Sequence, residues 1–339
     1  MKKYRVVQAG CGGISRLWID AANARDDLEM VGLVDLDRAA AEKRAQEHGL
    51  PSSIVFDTLD EALLAAKPDI VFDITVPSAH YEVTMKAIAA GCHVFGEKPM
   101  ADRMEHAREM VAAAKAAGKT YAVMQNRRYL PQVRGLRAAL DVATIGEVST
   151  LNADFYLGGH FGGFREEMES PLLLDMAIHT FDKARYISGA NATSVYCHEF
   201  NPKGSWYKGN ASAVCVFEMT NDIVFTYRGS WCAEGLNTTW ESDWRIQGSK
   251  GSAKWDGVTL PIAEVVTLQE GFIYKHDRLE IPEAQMPSVG HEACLDAMMA
   301  ALHEGREAET DCADNIKSLA MVFGAIESAR TGRRVEIEV

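Results

Sequence analysis

The sequence has no apolar run long enough to cross a bilayer, and the short stretch before Gly10 is too brief for the core of a signal peptide. It has no CxxC pair. Its seven cysteines (Cys11, Cys92, Cys197, Cys215, Cys232, Cys294 and Cys312) are odd in number and widely scattered. That pattern argues against a disulfide framework and a structural zinc, so a reduced, cytoplasmic protein without a metal site is expected. Basic residues are outnumbered 35 to 48, for a formal net charge of −13. A field of that sign repels phosphate backbones and anionic lipid, so neither nucleic acid nor membrane is expected as a partner. A small neutral substrate is indifferent to it. No internal repeat or low-complexity tail appears.

What is present is a globular composition, 47% apolar and 24% charged. A chain of 339 residues exceeds one ordinary core, which predicts two domains. The texture changes near Gln125, giving expected domains of 1–124 and 125–339. In the first, short apolar runs (Tyr4–Ala9, Leu28–Val34, Ile70–Thr75, Cys92–Phe95, Tyr121–Met124) alternate with alanine-rich segments of helical period. Such alternation implies a parallel sheet covered on both faces. The second part is dominated by strands, among them Val148–Leu157, Ala192–Phe200, Ala211–Glu218, Ile223–Trp231 and Trp240–Gln247. Asn221-Asp222 and Ser249-Lys250-Gly251 have the composition of hairpin turns. Helices are expected at Leu130–Leu140, Leu172–Ser188, Val289–Glu304 and Cys312–Thr331. The fold class is therefore an α/β dinucleotide-binding domain followed by an α+β domain with a large, mainly antiparallel sheet.

Gly10-Cys11-Gly12-Gly13-Ile14-Ser15 links the first strand to the first helix. The first glycine permits a tight turn, and the second lets the backbone approach a pyrophosphate. The helix N-terminus offers unpaired N–H groups to the phosphates. Asp35 ends the second strand, where a carboxylate accepts hydrogen bonds from both ribose hydroxyls of NAD and repels the 2′-phosphate of NADP. Arg38 nearby pulls the other way, because an arginine pairs with a 2′-phosphate. With Asp35 in place, NAD rather than NADP is the expected cofactor.

His93-Val94-Phe95-Gly96-Glu97-Lys98-Pro99 resembles the EKP signature of the glucose–fructose oxidoreductase / inositol dehydrogenase / rhizopine catabolism (Gfo/Idh/MocA) family. Four further stretches agree, in order along the chain. Thr75-Val76-Pro77-Ser78-Ala79-His80 is similar to the turn after the fourth strand. Gln125-Asn126-Arg127-Arg128-Tyr129 is similar to an N-x-R-[FY] region. Asp175-Met176-Ala177-Ile178-His179 with Asp182 resembles a D-x-G-x-H-x-x-D helix, and Ile326–Val335 resembles the C-terminal helix. The resemblance implies a Rossmann domain and an open-faced α/β domain, with the nicotinamide in the cleft between them. It adds Thr75, Val76, Pro77, His80, Glu97, Lys98 and Gln125 to Gly10, Gly12, Gly13, Ile14, Asp35 and Arg38 around the cofactor. It also implies that the Lys98 ammonium lies near the nicotinamide ring and the substrate hydroxyl. Two departures stand out: the glycine triplet before the motif helix is Glu169-Ser170-Pro171, and the glycine between Asp175 and His179 is Ala177.

The chemistry of these positions can also be read directly. Lys98 lies just past the carboxyl end of a parallel strand, where open α/β sheets bind ligands. An ammonium there donates to a substrate oxygen as the alcohol loses its proton. Asp175, His179 and Asp182 fall at i, i+4 and i+7, on one face of a helix. An imidazole suits proton removal from an alcohol, and a neighbouring carboxylate can orient it. Pro171 suits a first helical position with Ser170 as its cap. A solvated or structural face is the ordinary explanation of a lone Asp-x3-His pair; the accompanying signatures favour catalysis.

Several signals stay open. Gly158–Arg165 is a glycine-rich aromatic segment, either a substrate loop carrying His160 and Arg165 or a plain surface loop. Trp231, Trp240 and Trp244 either stack on a sugar or pack the sheet. Asp154 and Arg127 are further candidate substrate contacts. The expected activity is NAD-dependent oxidation of a secondary alcohol on a sugar, glycoside or cyclic polyol, with Lys98, His179 and Asp175 catalytic. Two alternatives are a glycosidase working by transient oxidation and a sugar- or NAD-sensing regulator. By resemblance a homodimer or homotetramer is expected.

Overall fold

A computed structural model describes residues 2–339. The chain forms two compact units, one of residues 1–126 with Ser288–Ile316, the other of Arg127–Pro287 with Lys317–Val339.

In the first unit the strands β1 (Tyr4–Ala9), β2 (Leu28–Val34), β3 (Val55–Phe56), β4 (Ile70–Asp73), β5 (His93–Gly96) and β6 (Tyr121–Val123) form one parallel sheet in the order β3-β2-β1-β4-β5-β6. The helices are α1 (Ser15–Asn23), α2 (Arg38–Glu47), α3 (Leu59–Ala66), α4 (Pro77–Ala89) and α5 (Met104–Ala117). β4 is buried at every position and β1 at all but Arg5. Strands covered on both faces read as nearly continuous apolar runs. Phe72 is packed between Trp18 (centroids 4.8 Å apart) and Phe95 (6.1 Å). The order reverses between β1 and β4, and that switch point is where such sheets bind ligands. The helix Gly290–Glu304 packs on α1, and its His303 is hydrogen-bonded to the buried Asp27 (2.8 Å). β3 and α3 had no clear signal in the sequence: a two-residue strand and a short helix carry little periodicity.

The second unit is built on a nine-stranded sheet. α6 (Pro131–Asp141), β7 (Val148–Tyr156) and the single turn α7 (Phe164–Glu167) come first. A π-helical turn, Leu172–Ala177, then runs into α8 (Ile178–Ser188). There follow β8 (Ala192–Phe200), β9 (Ser212–Met219), β10 (Ile223–Ser230), β11 (Asp243–Gly248), β12 (Gly251–Trp255), β13 (Ile262–Leu268) and β14 (Lys275–Glu280), with β15 (Val335–Glu336) near the end of the chain. The order is β14-β13-β12-β11-β7-β10-β9-β8-β15, antiparallel except for β7 beside β10. Asn221 and Asp222 both take positive φ in the β9–β10 turn, as a tight hairpin with the strand twist requires.

One face of this sheet is apolar and covered. Phe181 of α8 meets Phe217 edge-on at 4.8 Å and Tyr227 at 5.3 Å. The alternate residues Asn152, Asp154, Thr226, Arg228, Asp243 and Arg245 line a depression of about 1000 Å³ on the other face. The expected strand Trp240–Gln247 begins later, at Asp243, because Ser242 takes a positive φ (70°) that ends the extended run. Among the described residues, no helix is long and apolar enough to cross a membrane.

Candidate active site

The glycine loop leaves β1 at the switch point. Gly10 has φ +95°, and a Cβ there would lie 2.3 Å from the Ile74 carbonyl oxygen, so only glycine fits against the end of β4. Gly12 and Gly13 differ: a Cβ on either would meet nothing within 4 Å. This open space above the loop suits a pyrophosphate that the backbone must approach closely. Arg44, which sequence reasoning passed over, holds the loop from its other side. Its guanidinium donates to the carbonyl oxygens of Cys11 (3.2 Å) and Gly12 (3.0 Å) and to Ser15 Oγ (3.0 Å). Ser15, in the place of the fingerprint's third glycine, donates to the Gly12 carbonyl (2.6 Å). With those acceptors occupied, the conformation of the loop is fixed before any ligand arrives.

Asp35 follows β2 and accepts from the backbone N–H of Cys11 (2.7 Å) and Asp37 (2.9 Å). These bonds aim the carboxylate along the loop. Arg38 is engaged by Glu42 (2.9 Å) and Asp57. Ile14, which caps α1, and Val76, ahead of α4, are exposed apolar side chains on the two loops of the switch point.

Past β4 lies a buried polar cluster that no pattern announced. Asp73 is 1% exposed and accepts from Thr75 Oγ1 (2.6 Å), His80 Nδ1 (2.9 Å) and Thr84 Oγ1 (3.1 Å). Burial works against protonation of His80, but the charge and hydrogen bond of Asp73, together with the charges of Glu97 and Asp102, raise the His80 pKa. His80 lies in the first turn of α4, which begins at Pro77. Beside it, Glu97 follows β5 and accepts from Trp18 Nε1 (2.8 Å), and its N–H donates to the Asp73 carbonyl (2.9 Å). Lys98 is the next residue. Gln125, just past β6, is 1% exposed, and neither amide atom has a hydrogen-bond partner among the described residues. A buried orphan amide is costly unless a ligand or water satisfies it. Open space over Gly12 and Gly13, a fixed ribose-side carboxylate and this orphan amide together fit a dinucleotide along the carboxyl edge of the sheet.

In the second unit the motif helix is not a plain α-helix. Asp175 lies in the π turn and His179 in the first turn of α8. π turns are uncommon and are frequently found at functional sites. Asp175 accepts from Arg165 Nε (2.6 Å), whereas Asp182 accepts two bonds from the buried Arg128 (2.6 and 2.7 Å) and one from Ser318 (2.7 Å). Asp182 is thus a structural anchor. Ser170 does not cap the helix as expected; its hydroxyl donates to Glu199 (2.9 Å), and Pro171 is already helical in φ and ψ.

Arg127 donates to the Trp240 carbonyl and to Glu241, whose other carboxyl oxygen is bonded to Lys183 (2.7 Å). Lys183 is fully buried, and burial pushes it down to about 8 against the pull of Glu241. His160 is stacked on Trp206 (3.7 Å) and bonded to Glu234 (2.8 Å). Asp154 is paired with Arg228 (2.7 Å) on the open face of the sheet, the face opposite α8, and so is not brought together with His179. Trp231 and Trp244 are packed at 2% exposure, while Trp240 is 42% exposed.

The model described as an oxidoreductase family with an NAD-binding Rossmann fold matches residues 4–125, and that of the family's C-terminal alpha/beta domain matches residues 144–337. A D-glucoside 3-dehydrogenase of Escherichia coli (strain K12) is 34% identical over 187 residues, 53% of each chain. An inositol 2-dehydrogenase of Rhizobium meliloti (strain 1021) is 26% identical over 346 residues, 97% of each chain. A solved oxidoreductase from Agrobacterium radiobacter, in complex with NAD+, L-tartaric acid and magnesium, has a TM-score of 0.87 at 21% identity over 99% of both chains. That likeness shows a shared fold.

Proposed function

The chain belongs to the Gfo/Idh/MocA oxidoreductase family, whose relatives here are sugar and polyol dehydrogenases acting on CH–OH groups, and from that premise we propose that it oxidises a secondary alcohol of a sugar, glycoside or cyclic polyol with NAD. What carries this reading is the carboxyl edge of the first sheet, where the glycine loop follows β1, Glu97-Lys98 follow β5 and the orphan Gln125 amide follows β6.

When bound, the nicotinamide is the hydride acceptor. Gly12 and Gly13 give the pyrophosphate room, and Arg44 keeps the loop in its binding shape. Asp35 is the ribose-binding group, and its charge together with the occupied Arg38 favours NAD over NADP. Thr75, Val76, Pro77 and His80 complete the cofactor side, with Asp73 fixing the threonine and the histidine.

Lys98 donates to the reacting oxygen and stabilises the charge that grows there as the hydroxyl proton leaves. His179 takes that proton. Asp175, neutralised by Arg165, accepts a hydrogen bond from a substrate hydroxyl and orients it. Arg127 holds the segment Trp240-Glu241 beside the substrate.

The direct test is NADH formation with a panel of sugars, glycosides and inositols, run in parallel with NAD and NADP. Turnover of at least one member with NAD is expected. Preference for NADP would refute the role of Asp35. Silence across the panel despite measurable NAD binding would refute the dehydrogenase reading.

A further inference from the structure

Arg165 of α7, which is bonded to Asp175 in the π turn, lies beside an aromatic surface. Phe161, Phe164 and Trp240 are 48%, 51% and 42% exposed. Phe161 is 6.1 Å from Trp240 and 5.4 Å from the buried Trp231, centroid to centroid, and Phe164 is linked to Phe161 through the Arg165 guanidinium. Scattered exposed apolar residues need no explanation, but a contiguous group of large rings marks a binding surface. Arg165 joins this surface to the polar site. Its guanidinium carbon is 5.5 Å from the Phe161 centroid and 4.7 Å from that of Phe164, while its Nε is 2.6 Å from Asp175.

The platform is built in advance. A Cβ at Gly159 would lie 2.4 Å from the Phe161 ring, so that glycine lets the ring lie flat on its own backbone. The Gly159 carbonyl accepts from Tyr207 Oη (2.9 Å) and Trp206 Nε1 (3.3 Å), pinning the segment. Preorganised rings bind without the cost of ordering a loop.

We propose that Phe161, Phe164 and Trp240 form a subsite for a flat apolar aglycone, so that the substrate is a glycoside rather than a free sugar or an inositol. The inference rests on the reading of Asp175 as a hydroxyl-binding group. A second pyranose would need partners for several hydroxyls, and the platform supplies few. Of the polar atoms around it, Tyr207 Oη and Trp206 Nε1 are bonded to Gly159, His160 Nε2 to Glu234 and Arg165 Nε to Asp175. An aryl ring therefore satisfies the surface, stacking or meeting the rings edge-on.

The test compares phenyl and methyl β-D-glucopyranoside with the NAD-loaded protein, by tryptophan fluorescence and calorimetry. The phenyl glycoside should bind about tenfold tighter, from the apolar area it buries. In Phe161→Ala and in Trp240→Leu that ratio should fall towards unity, with circular dichroism and melting temperature reporting that the fold is kept. A ratio near one in the native protein, no binding of either glycoside, or a ratio that survives both substitutions overturns the proposal. NADH formation is read separately. Phenyl preference in binding without NADH would leave the subsite standing and sink the dehydrogenase reading; NADH without phenyl preference would do the reverse.

Discussion

Replacing Gly10 and Gly12 one at a time by alanine separates packing from cofactor space, two roles that a glycine-rich motif merges. At Gly10 the added Cβ lies 2.3 Å from the Ile74 carbonyl oxygen and 2.5 Å from its carbonyl carbon, at a φ of +95°. An ordinary contact needs roughly 3.4 Å or more, so the end of β4 must move by about 1 Å. A positive φ adds about 1–2 kcal/mol for a residue with a Cβ, and backbone displacement in a packed core adds about 1–3 kcal/mol more. The expected loss is therefore about 2–5 kcal/mol for Gly10→Ala. Thr75 and the Asp73 cluster move with the strand end, so NAD binding weakens as well. At Gly12 the Cβ meets nothing and φ is not positive, so Gly12→Ala should hold or slightly raise stability through the unfolded chain. It nevertheless fills the space assigned to the pyrophosphate and should weaken NAD at least tenfold. Thermal melting without ligand and calorimetric NAD titration read the two effects. Unchanged NAD affinity in Gly12→Ala would refute the placement of the phosphates. An unchanged melting temperature in Gly10→Ala would refute the packing argument.

Lys98→Met should lower kcat by roughly 10²–10⁴ while NAD affinity stays within a few fold, measured by steady-state kinetics and NAD titration; near-native turnover removes Lys98 from the chemistry. Asp182→Asn strips the charge partner from the buried Arg128 and should cost about 3–5 kcal/mol, read as a melting-temperature drop on the order of 10 °C. A shift under about 2 °C would show that the pair is not the anchor of the Arg127–Tyr129 turn. Glu199 supplies a pH signature. Burial pushes its carboxyl up to about 7, against hydrogen bonds from Ser170 and Asn210. Its folded pKa exceeds the unfolded one, so its contribution to stability is complete below about pH 4.5 and is lost as pH rises through about 7. The melting temperature of the native protein should therefore fall across that window relative to Glu199→Gln; parallel profiles would refute the assignment.

Much of the first unit is determined by local sequence. Its strands are buried on both faces and so read as continuous apolar runs, and the fixed reach between β1, the glycine loop and Asp35 made the cofactor edge legible. Resemblance added His80, Glu97, Lys98 and Gln125, but the partners of His80 and Glu97 and the buried, unsatisfied amide of Gln125 came only from the fold. Asp73 and Arg44 belong to no motif, because a buried acid at a strand end or an arginine on a helix gains meaning only when folding brings its acceptors or donors to it. In the second unit the 3.6-residue spacing of Asp175, His179 and Asp182 suggested one shared face. In the structure Asp175 lies in a π turn and is paired with Arg165, while His179 and Asp182 lie in α8, with Asp182 held by Arg128. Whether an aromatic residue is core or surface was likewise open in the sequence. Tertiary structure buried Trp231 and Trp244, left Trp240 and Phe161 facing outward, and joined them through Arg165 to Asp175, because contacts between segments distant in sequence leave no local period to read.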